Sequence, residues 1–205
     1  MRKLVYYIGI SIDGYIAGPN SEIDFFPLAD DILSWIVECY PETLPTHFRV
    51  QIGVDDGTPN QRFDTLSMGR GTYQPALDIE VTSPYPHLRQ YIVSTTLHEI
   101  ADPSLRLIRE DPGKVIRELK REEGMDIWLA GGGKLAGSLL PEIDELIVKQ
   151  YPIIAGAGIS IFDGRFQPTL FELVGLHRFK SGSFVANYQR NPGNDPTGSA
   201  VAKAD

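Results

Sequence analysis

The sequence predicts an α/β protein whose central sheet is mixed and ends in antiparallel strands. Over the first two thirds of the chain, short apolar runs alternate with segments of helical spacing, which is typical of parallel strands joined by helices. Toward the carboxyl terminus, strand-like runs follow one another with no helix between them. That second pattern predicts antiparallel strands at one edge of the sheet.

The bulk composition is that of an ordinary soluble domain. The chain has 205 residues, of which 42% are hydrophobic and 22% charged, so one domain over residues 1–190 is expected. Residues 191–205 contain mainly Gly, Pro, Asn, Ser and Ala without periodicity, which predicts a disordered tail.

Charge and cysteine content exclude several functions. The net charge of −8 argues against a nucleic-acid partner, because such proteins present a basic surface. The single cysteine, Cys39, excludes an intramolecular disulfide and a cysteine-based zinc cluster, and the four histidines have no metal-ligand spacing. No run of about 18 apolar residues is present, so no membrane association is predicted. We expect a cytoplasmic protein without a bound metal.

The first part of the chain predicts a strand pair and a helix. Leu4–Ile12 is rich in Val, Ile and Tyr and is predicted as a buried strand, which Asp13-Gly14 breaks before Tyr15–Ala17 resumes it. Asp30–Tyr40 has apolar residues at helical spacing and ends before a proline. Leu44–Gln61 is interpreted as a mixed, turn-rich segment.

The same criteria predict the remaining elements. Prolines 75, 84 and 86 indicate an irregular connection in the middle of the chain. Helices are predicted at Pro112–Glu123 and Lys134–Leu140. Strands are predicted at Asp64–Met68, Arg89–Ser94, Leu105–Arg109, Asp126–Ala130 and Leu146–Pro152, with a closing antiparallel pair at Phe171–His177 and Phe184–Tyr188.

A run of three glycines between a buried strand and a helix predicts an anion site. Gly131, Gly132 and Gly133 let the backbone approach a phosphate, and a helix N-terminus offers N–H groups and the positive end of its dipole. The alternative is a tight turn without a ligand. The spacing through Ala136 fits the loose dinucleotide pattern, but Tyr151 stands where a Rossmann fold needs an acid, and no Gly-Lys-Ser/Thr indicates a P-loop.

Three motifs, in order, resemble one family. Ser11-Ile-Asp-Gly-Tyr-Ile-Ala17 resembles a motif in the reductase domain of the bifunctional riboflavin-biosynthesis deaminase–reductase, the RibD C-terminal domain family. Met68-Gly-Arg-Gly-Thr-Tyr73 is similar to a turn shared with dihydrofolate reductases, and Ala130-Gly-Gly-Gly-Lys134 is similar to the glycine turn of both. The resemblance covers about residues 2–190. It implies a dihydrofolate-reductase-like, three-layer α/β/α fold, NADPH as hydride donor and a homodimer.

The resemblance also implies a set of cofactor-binding residues. Arg70 and Thr72 would bind the phosphates of the adenine half, and Ser94, Thr95 and Thr96 would bind the 2′-phosphate. The alternatives are a surface ion pair for Arg70 and a capped loop end for the hydroxyl run. The full set of implied cofactor contacts is Ile16, Ala17, Gly69, Arg70, Thr72, Ser94, Thr95, Ala130, Gly131, Gly132, Gly133 and Lys134.

Two carboxylates are the candidate catalytic residues. Asp13 would lie on the nicotinamide side, and its alternative role is an ordinary Asp-Gly β-turn. Asp31, one helical turn before Trp35, resembles the acid and aromatic pair that holds a pterin in dihydrofolate reductases. A carboxylate at a helix start is also favoured by capping and the helix dipole alone. Either carboxyl is a candidate proton donor to a reduced ring.

The departures from the family pattern leave the substrate open. The chain lacks the His-x-Glu and Pro-Cys-x-x-Cys motifs of a zinc deaminase, and residues 75–81 do not match the substrate-holding stretch of the riboflavin enzyme. We therefore expect an NADPH-dependent reductase of a small heterocycle. Its substrate would be pterin-like or like a riboflavin precursor such as 5-amino-6-(5-phosphoribosylamino)uracil. The alternatives are a catalytically inactive nucleotide-binding or sensor protein, and a flavin-binding protein.

Overall fold

A computed structural model describes residues 1–55, 57–100 and 102–191 of the chain. The predicted disordered tail, apart from Asn191, lies outside these described residues. The helices are α1 (Asp30–Cys39), α2 (Thr46–Gln51), α3 (Arg70–Asp78), α4 (Pro112–Arg121) and α5 (Gly133–Leu139). The strands are β1 (Leu4–Ile10), β2 (Tyr15–Ala17), β3 (Phe63–Gly69), β4 (Arg89–Val93), β5 (Leu105–Ile108), β6 (Asp126–Gly131), β7 (Glu145–Gln150), β8 (Ile159–Ser160), β9 (Phe171–Arg178) and β10 (Phe184–Arg190).

Eight of these strands form one mixed sheet in the order β5-β4-β3-β6-β1-β7-β10-β9. The first six strands in that order are parallel to one another, whereas β10 runs antiparallel to both β7 and β9. The short strands β2 and β8 pair separately. The predicted fold class, a mainly parallel sheet with antiparallel strands at the carboxyl end, is confirmed.

The two faces of the sheet are covered by different helices. Along β1 the side chains alternate, so Val5 and Tyr7 join the core under α1 and α3, while Leu4 and Tyr6 join the core under α4 and α5. The chain therefore leaves β6 toward one face and leaves its neighbours β1 and β3 toward the other. In open α/β sheets, such a change of direction opens a crevice at the carboxyl ends of the strands.

The segment Leu44–Gln61 is better ordered than its composition predicts. It contains helix α2, from which the buried guanidinium of Arg49 donates two hydrogen bonds to the carbonyl of Pro41, at 3.1 and 2.6 Å. The fully buried carboxylate of Glu42 accepts the backbone N–H groups of residues 61–63 at 2.8 to 3.2 Å. These distant contacts organise the entry into β3, which local patterning does not indicate.

The interpretation of Pro75 as part of an irregular connection is wrong. Helix α3 runs through this residue and ends at Asp78. A proline inside a helix loses the hydrogen bond to the carbonyl four residues earlier, here that of Gly71. Because Gly71 is exposed, water can solvate that carbonyl.

Within the described part of the chain, no helix is both long and apolar enough to cross a membrane.

Candidate active site

The glycine turn lies at the carboxyl end of β6, and its three glycines have different roles. Gly131 has a φ of +104°, a conformation that a side chain would strain, and the Gly131–Gly132 peptide is cis. A Cβ on Gly132 would stand 3.8 Å from the Ile16 Cδ1 and Thr72 Oγ1 atoms, so it would face open space between them. A Cβ on Gly133 would lie only 2.1 Å from the carbonyl oxygen of Ser160.

The sequence interpretation is that all three glycines approach a phosphate, but the structure leaves this role open to fewer of them. Gly132 is free for such an approach. Gly133 is needed because the backbone of β8 crosses directly over it. No side chain of the described residues caps the start of α5, whose first N–H groups lack partners within the helix itself.

The start of α3 lies beside the start of α5. Gly69 ends β3 and precedes α3, and a Cβ there would be 3.6 Å from both the Gly131 oxygen and the Gly132 nitrogen. No side chain within the described ranges caps α3 either. The structure thus brings Ile16, Gly69, Thr72 and Gly132 together, as the family resemblance implies.

Arg70 carries a positive charge at the start of α3. Its exposed guanidinium donates to the Thr96 hydroxyl oxygen at 2.8 Å, across the ends of β3 and β4. The Ser94 hydroxyl accepts the N–H groups of Thr96 and Leu97 at 3.2 and 3.0 Å, and Ser94 is buried. Ser94 therefore caps the loop, the alternative named for this hydroxyl run, whereas the hydroxyls of Thr95 and Thr96 lie on exposed residues.

The other cofactor contacts that the resemblance implies lie on β2, β6 and α5. Ile16 and Ala17 are buried on β2, and Ala130 is buried at the end of β6 in the core under α1 and α3. Lys134 is exposed on the first turn of α5, beside the glycine turn.

Asp13 fastens a distant loop to the site. Its carboxylate accepts the Ser11 hydroxyl at 2.6 Å and the N–H groups of Ala155 and Gly156 at 3.0 and 2.7 Å. The Ser11 hydroxyl and these N–H groups lower the pKa of Asp13 to about 2. This geometry argues against proton donation by Asp13, because its carboxyl is ionised at neutral pH. Asp13 is a positioning residue for the loop.

That loop belongs to residues 153–163, here named the crossing segment, which the sequence interpretation missed. It passes against β2, where a Cβ on Gly158 would lie 2.1 Å from the Ala17 oxygen, and then over Gly133. The detectable signal was the second glycine-bearing run, Ala155-Gly156-Ala157-Gly158, directly after a predicted strand.

The carboxylate of Asp31 binds the turn between β9 and β10. Its carboxylate accepts the Ser181 N–H at 2.9 Å and the Ile32 N–H at 2.8 Å, and the Ser181 bond is the main cause of its lowered pKa. Trp35 stacks on His177 with ring centroids 5.9 Å apart. Asp31 therefore anchors the β9–β10 turn, which also argues against its acting as a proton donor.

A concavity at the opposite edge of the sheet has a different character. It is lined by charged residues including Arg2 and Arg62, which form ion pairs with Asp64 and Glu145 respectively. The charges of Arg2 and Arg62 are thus balanced within the protein, and we place the functional site at the carboxyl ends of the strands.

Replacing Asp13 with Asn tests the positioning role. The amide would present an N–H₂ group to one of the donors that the carboxylate now accepts, and the crossing segment would shift. We expect turnover to fall by roughly 10- to 100-fold, the scale of a small misplacement, with cofactor affinity unchanged. Titration calorimetry and steady-state rates separate the two effects, with the exposed Asp24→Asn variant as control. A loss of affinity with normal turnover would contradict this role.

The protein has a dihydrofolate-reductase-like fold. The structure matches that of dihydrofolate reductase from Enterococcus faecalis complexed with NADP(H) and RAB-propyl, with a TM-score of 0.63, 13% identity and coverage of 92% of this chain and 96% of that one. It also matches a putative riboflavin biosynthesis protein from Shewanella sp. PV-4, with a TM-score of 0.67, 22% identity and coverage of 93% and 99%.

Sequence comparison identifies the family. Residues 70–185 match the RibD C-terminal domain model. The uncharacterized protein YwjB of Bacillus subtilis (strain 168) is 30% identical over 182 residues, which cover 87% of this chain and 92% of YwjB. The chain belongs to the RibD C-terminal domain family.

Proposed function

We propose that this protein is an NADPH-dependent reductase of a small heterocyclic substrate, either pterin-like or riboflavin-precursor-like. The observation that carries the proposal is the pair of adjoining helix N-termini, α3 and α5, flanked by the Arg70–Thr96 contact of 2.8 Å. Membership of a family related to riboflavin-biosynthesis reductases supports the same assignment.

The donor groups suit a dinucleotide phosphate. Helix N-termini and glycine backbone favour a pyrophosphate, and a guanidinium with neighbouring hydroxyls favours the extra phosphate that distinguishes NADPH from NADH. When bound, the nicotinamide supplies the hydride. Ile16 and the Asp13 turn would hold the ring, and Asp13 keeps the crossing segment in place through the Ala155 N–H.

A catalytically inactive nucleotide-binding or sensor protein is the second candidate. It is favoured by one observation: the pKa values of both candidate proton donors, Asp13 and Asp31, are lowered and both carboxylates are occupied. A reductase would then take its proton from water or from another group.

One experiment distinguishes these candidates. NADPH and NADH binding are measured by titration calorimetry, and NADPH oxidation is then followed across a panel of pterins, pyrimidinediones and flavins. A reductase is expected to bind NADPH preferentially and to oxidise it with at least one ring class. Binding without oxidation across the panel would favour the sensor, and absence of NADPH binding would contradict both.

We further propose that the protein forms a homodimer through β9. This edge strand carries three apolar residues whose exposed fractions are about half: Leu173 at 52%, Val174 at 50% and Leu176 at 49%. An exposed edge with adjoining apolar side chains is a surface that a second copy covers by symmetry.

Light scattering at micromolar concentration tests the dimer. We expect a mass of about twice the 22.8 kDa of one chain. Leu176→Arg should shift the protein toward monomer by placing a charge in the interface, whereas Val50→Arg, at an exposed position of α2, should not. A wild-type mass near that of one chain would contradict the proposal.

A further inference from the structure

Lys149 is a charged residue that the family resemblance does not assign. It lies near the carboxyl end of β7, paired with Gly9 of β1 on one side and Val185 of β10 on the other. Its side chain shares the face of the sheet that packs under α1, because its stem and the Tyr151 ring occupy the space over Gly9. This is the edge at which the glycine turn lies.

The ammonium of Lys149 points toward the middle of the sheet. Its Nζ lies 3.5 Å from the centroid of the Tyr7 ring, on the strand next to β6. Tyr7 belongs to the same core cluster as Ala130, the residue that precedes the glycine turn. The amine therefore lies against a side chain of the strand that pairs with β6.

Within residues 1–55, 57–100 and 102–191, Lys149 has no ion pair or hydrogen bond. The ring of Tyr7 lies against its amine and that of Tyr151 beside its stem, while Tyr40 and the carboxylate of Glu42 lie near Tyr7. The Glu42 carboxylate already accepts the backbone N–H groups of residues 61–63. Burial raises the pKa of Tyr7 and that of Tyr151, to about 12 for the latter, so both are neutral near pH 7. Lys149 is partly exposed as a residue, while the rings packed against its amine keep that group desolvated.

The contrast with Asp31 indicates what kind of ring fits. A carboxylate holds a heterocycle through ring N–H and amino groups, but both oxygens of Asp31 already accept backbone N–H groups. An ammonium offers only donors, and these bind carbonyl or anionic oxygens.

We propose that Lys149 is a specificity-determining residue that donates a hydrogen bond to a carbonyl or anionic oxygen of the heterocyclic substrate. This inference rests on the proposed reductase function of the cleft and defines the substrate class: oxygen-bearing rings such as pyrimidinediones bind in preference to diaminopyrimidine-type rings. Burial lowers the pKa of Lys149 to about 7, so the charged form, which offers three donors and no acceptor, is lost as pH rises through neutrality.

Two pteridines with the same ring test the proposal. Lumazine carries oxygens at positions 2 and 4, where 2,4-diaminopteridine carries amino groups. Their dissociation constants are measured with NADP⁺ present, for the wild type and for Lys149→Met, which keeps the apolar stem. We expect the wild type to prefer lumazine at least tenfold at pH 6, with weaker lumazine binding at pH 8.5. We expect the variant to lose both the preference and the pH dependence.

Further measurements separate this proposal from its alternatives. Lys149→Arg should keep part of the preference, and thermal melting should show that both variants fold. NADPH titration is a separate arm: if Lys149→Met binds NADPH normally but keeps the wild-type lumazine preference, Lys149 is not the recognising group although the cofactor assignment stands. Equal affinity for the two pteridines, a preference for the diamino ring, or no lumazine binding by the wild type would overturn the proposal.

Discussion

Gly132→Val should lower NADPH affinity tenfold or more while leaving the protein folded. A Cβ at this position has only ordinary contacts, at 3.8 Å, and the φ of −81° is one that any residue adopts. The two γ-methyl groups would instead fill the space between Ile16 and Thr72, where we place the pyrophosphate. A tenfold loss corresponds to about 1.4 kcal/mol of binding free energy.

Replacing the next glycine, Gly133, should instead lower the stability of the protein. Gly133→Ala would put a methyl group 2.1 Å from a backbone oxygen, so the crossing segment must move. We expect this change to lower the free energy of unfolding by roughly 1–3 kcal/mol, the usual range for overpacking.

Calorimetry and thermal melting separate the two glycine variants. Gly57→Val, in a remote loop with open space around it, is the control for adding a branched side chain. If Gly132→Val is folded and binds NADPH as well as the wild type, the cofactor does not lie against this turn. If Gly133→Ala melts like the wild type, the crossing segment does not constrain the turn as described.

Arg70→Ala should weaken NADPH binding and leave NADH binding nearly unchanged. The exposed guanidinium contacts only the Thr96 hydroxyl among the described residues, and its charge is therefore available to a phosphate. A charge-assisted hydrogen bond contributes about 1–3 kcal/mol, so the NADPH dissociation constant should rise roughly 5- to 150-fold.

The NADPH to NADH ratio is the measurement that decides this prediction. Arg121→Ala, at the end of α4, removes an exposed arginine elsewhere and should leave the ratio unchanged. Equal affinity of the wild type for both cofactors would contradict the assignment of Arg70 to the extra phosphate.

Structural features that depend on residues adjacent in the sequence could be predicted well from the sequence alone. Apolar runs located all the strands of the main sheet, and the glycine run placed a turn between β6 and α5, because burial periodicity and backbone freedom are local properties. The turn at residues 68–73, where β3 leads into α3, was likewise anticipated. The helix around Arg49 and the passage of α3 through Pro75 were not. The first is accompanied by buried hydrogen bonds from Arg49 to the Pro41 carbonyl, and the second is tolerated because Gly71 is exposed to solvent.

In the candidate site, too, motifs identified the residues but contacts between distant parts of the chain decided their roles. Arg70, Thr72 and the glycines were named from motifs, yet their separate roles depend on which backbone lies opposite each one. Asp13 contacts Ala155 and Gly156 across more than 140 positions, and those contacts change a candidate proton donor into a fixed, ionised anchor. Lys149 belongs to none of the motifs, and the contact of its amine with the Tyr7 ring is seen only in the structure.

The sequence by itself determined the α/β class, the strand positions and the place of the glycine turn, since these follow from local patterns of polarity and backbone freedom. The tertiary structure decided which carboxylates are occupied, which glycine is open to a ligand and where an unneutralised amine lies. Those properties depend on residues that the sheet order β3-β6-β1-β7 and the crossing segment bring together from distant parts of the chain. A side chain's pKa and accessibility are set by such neighbours in space.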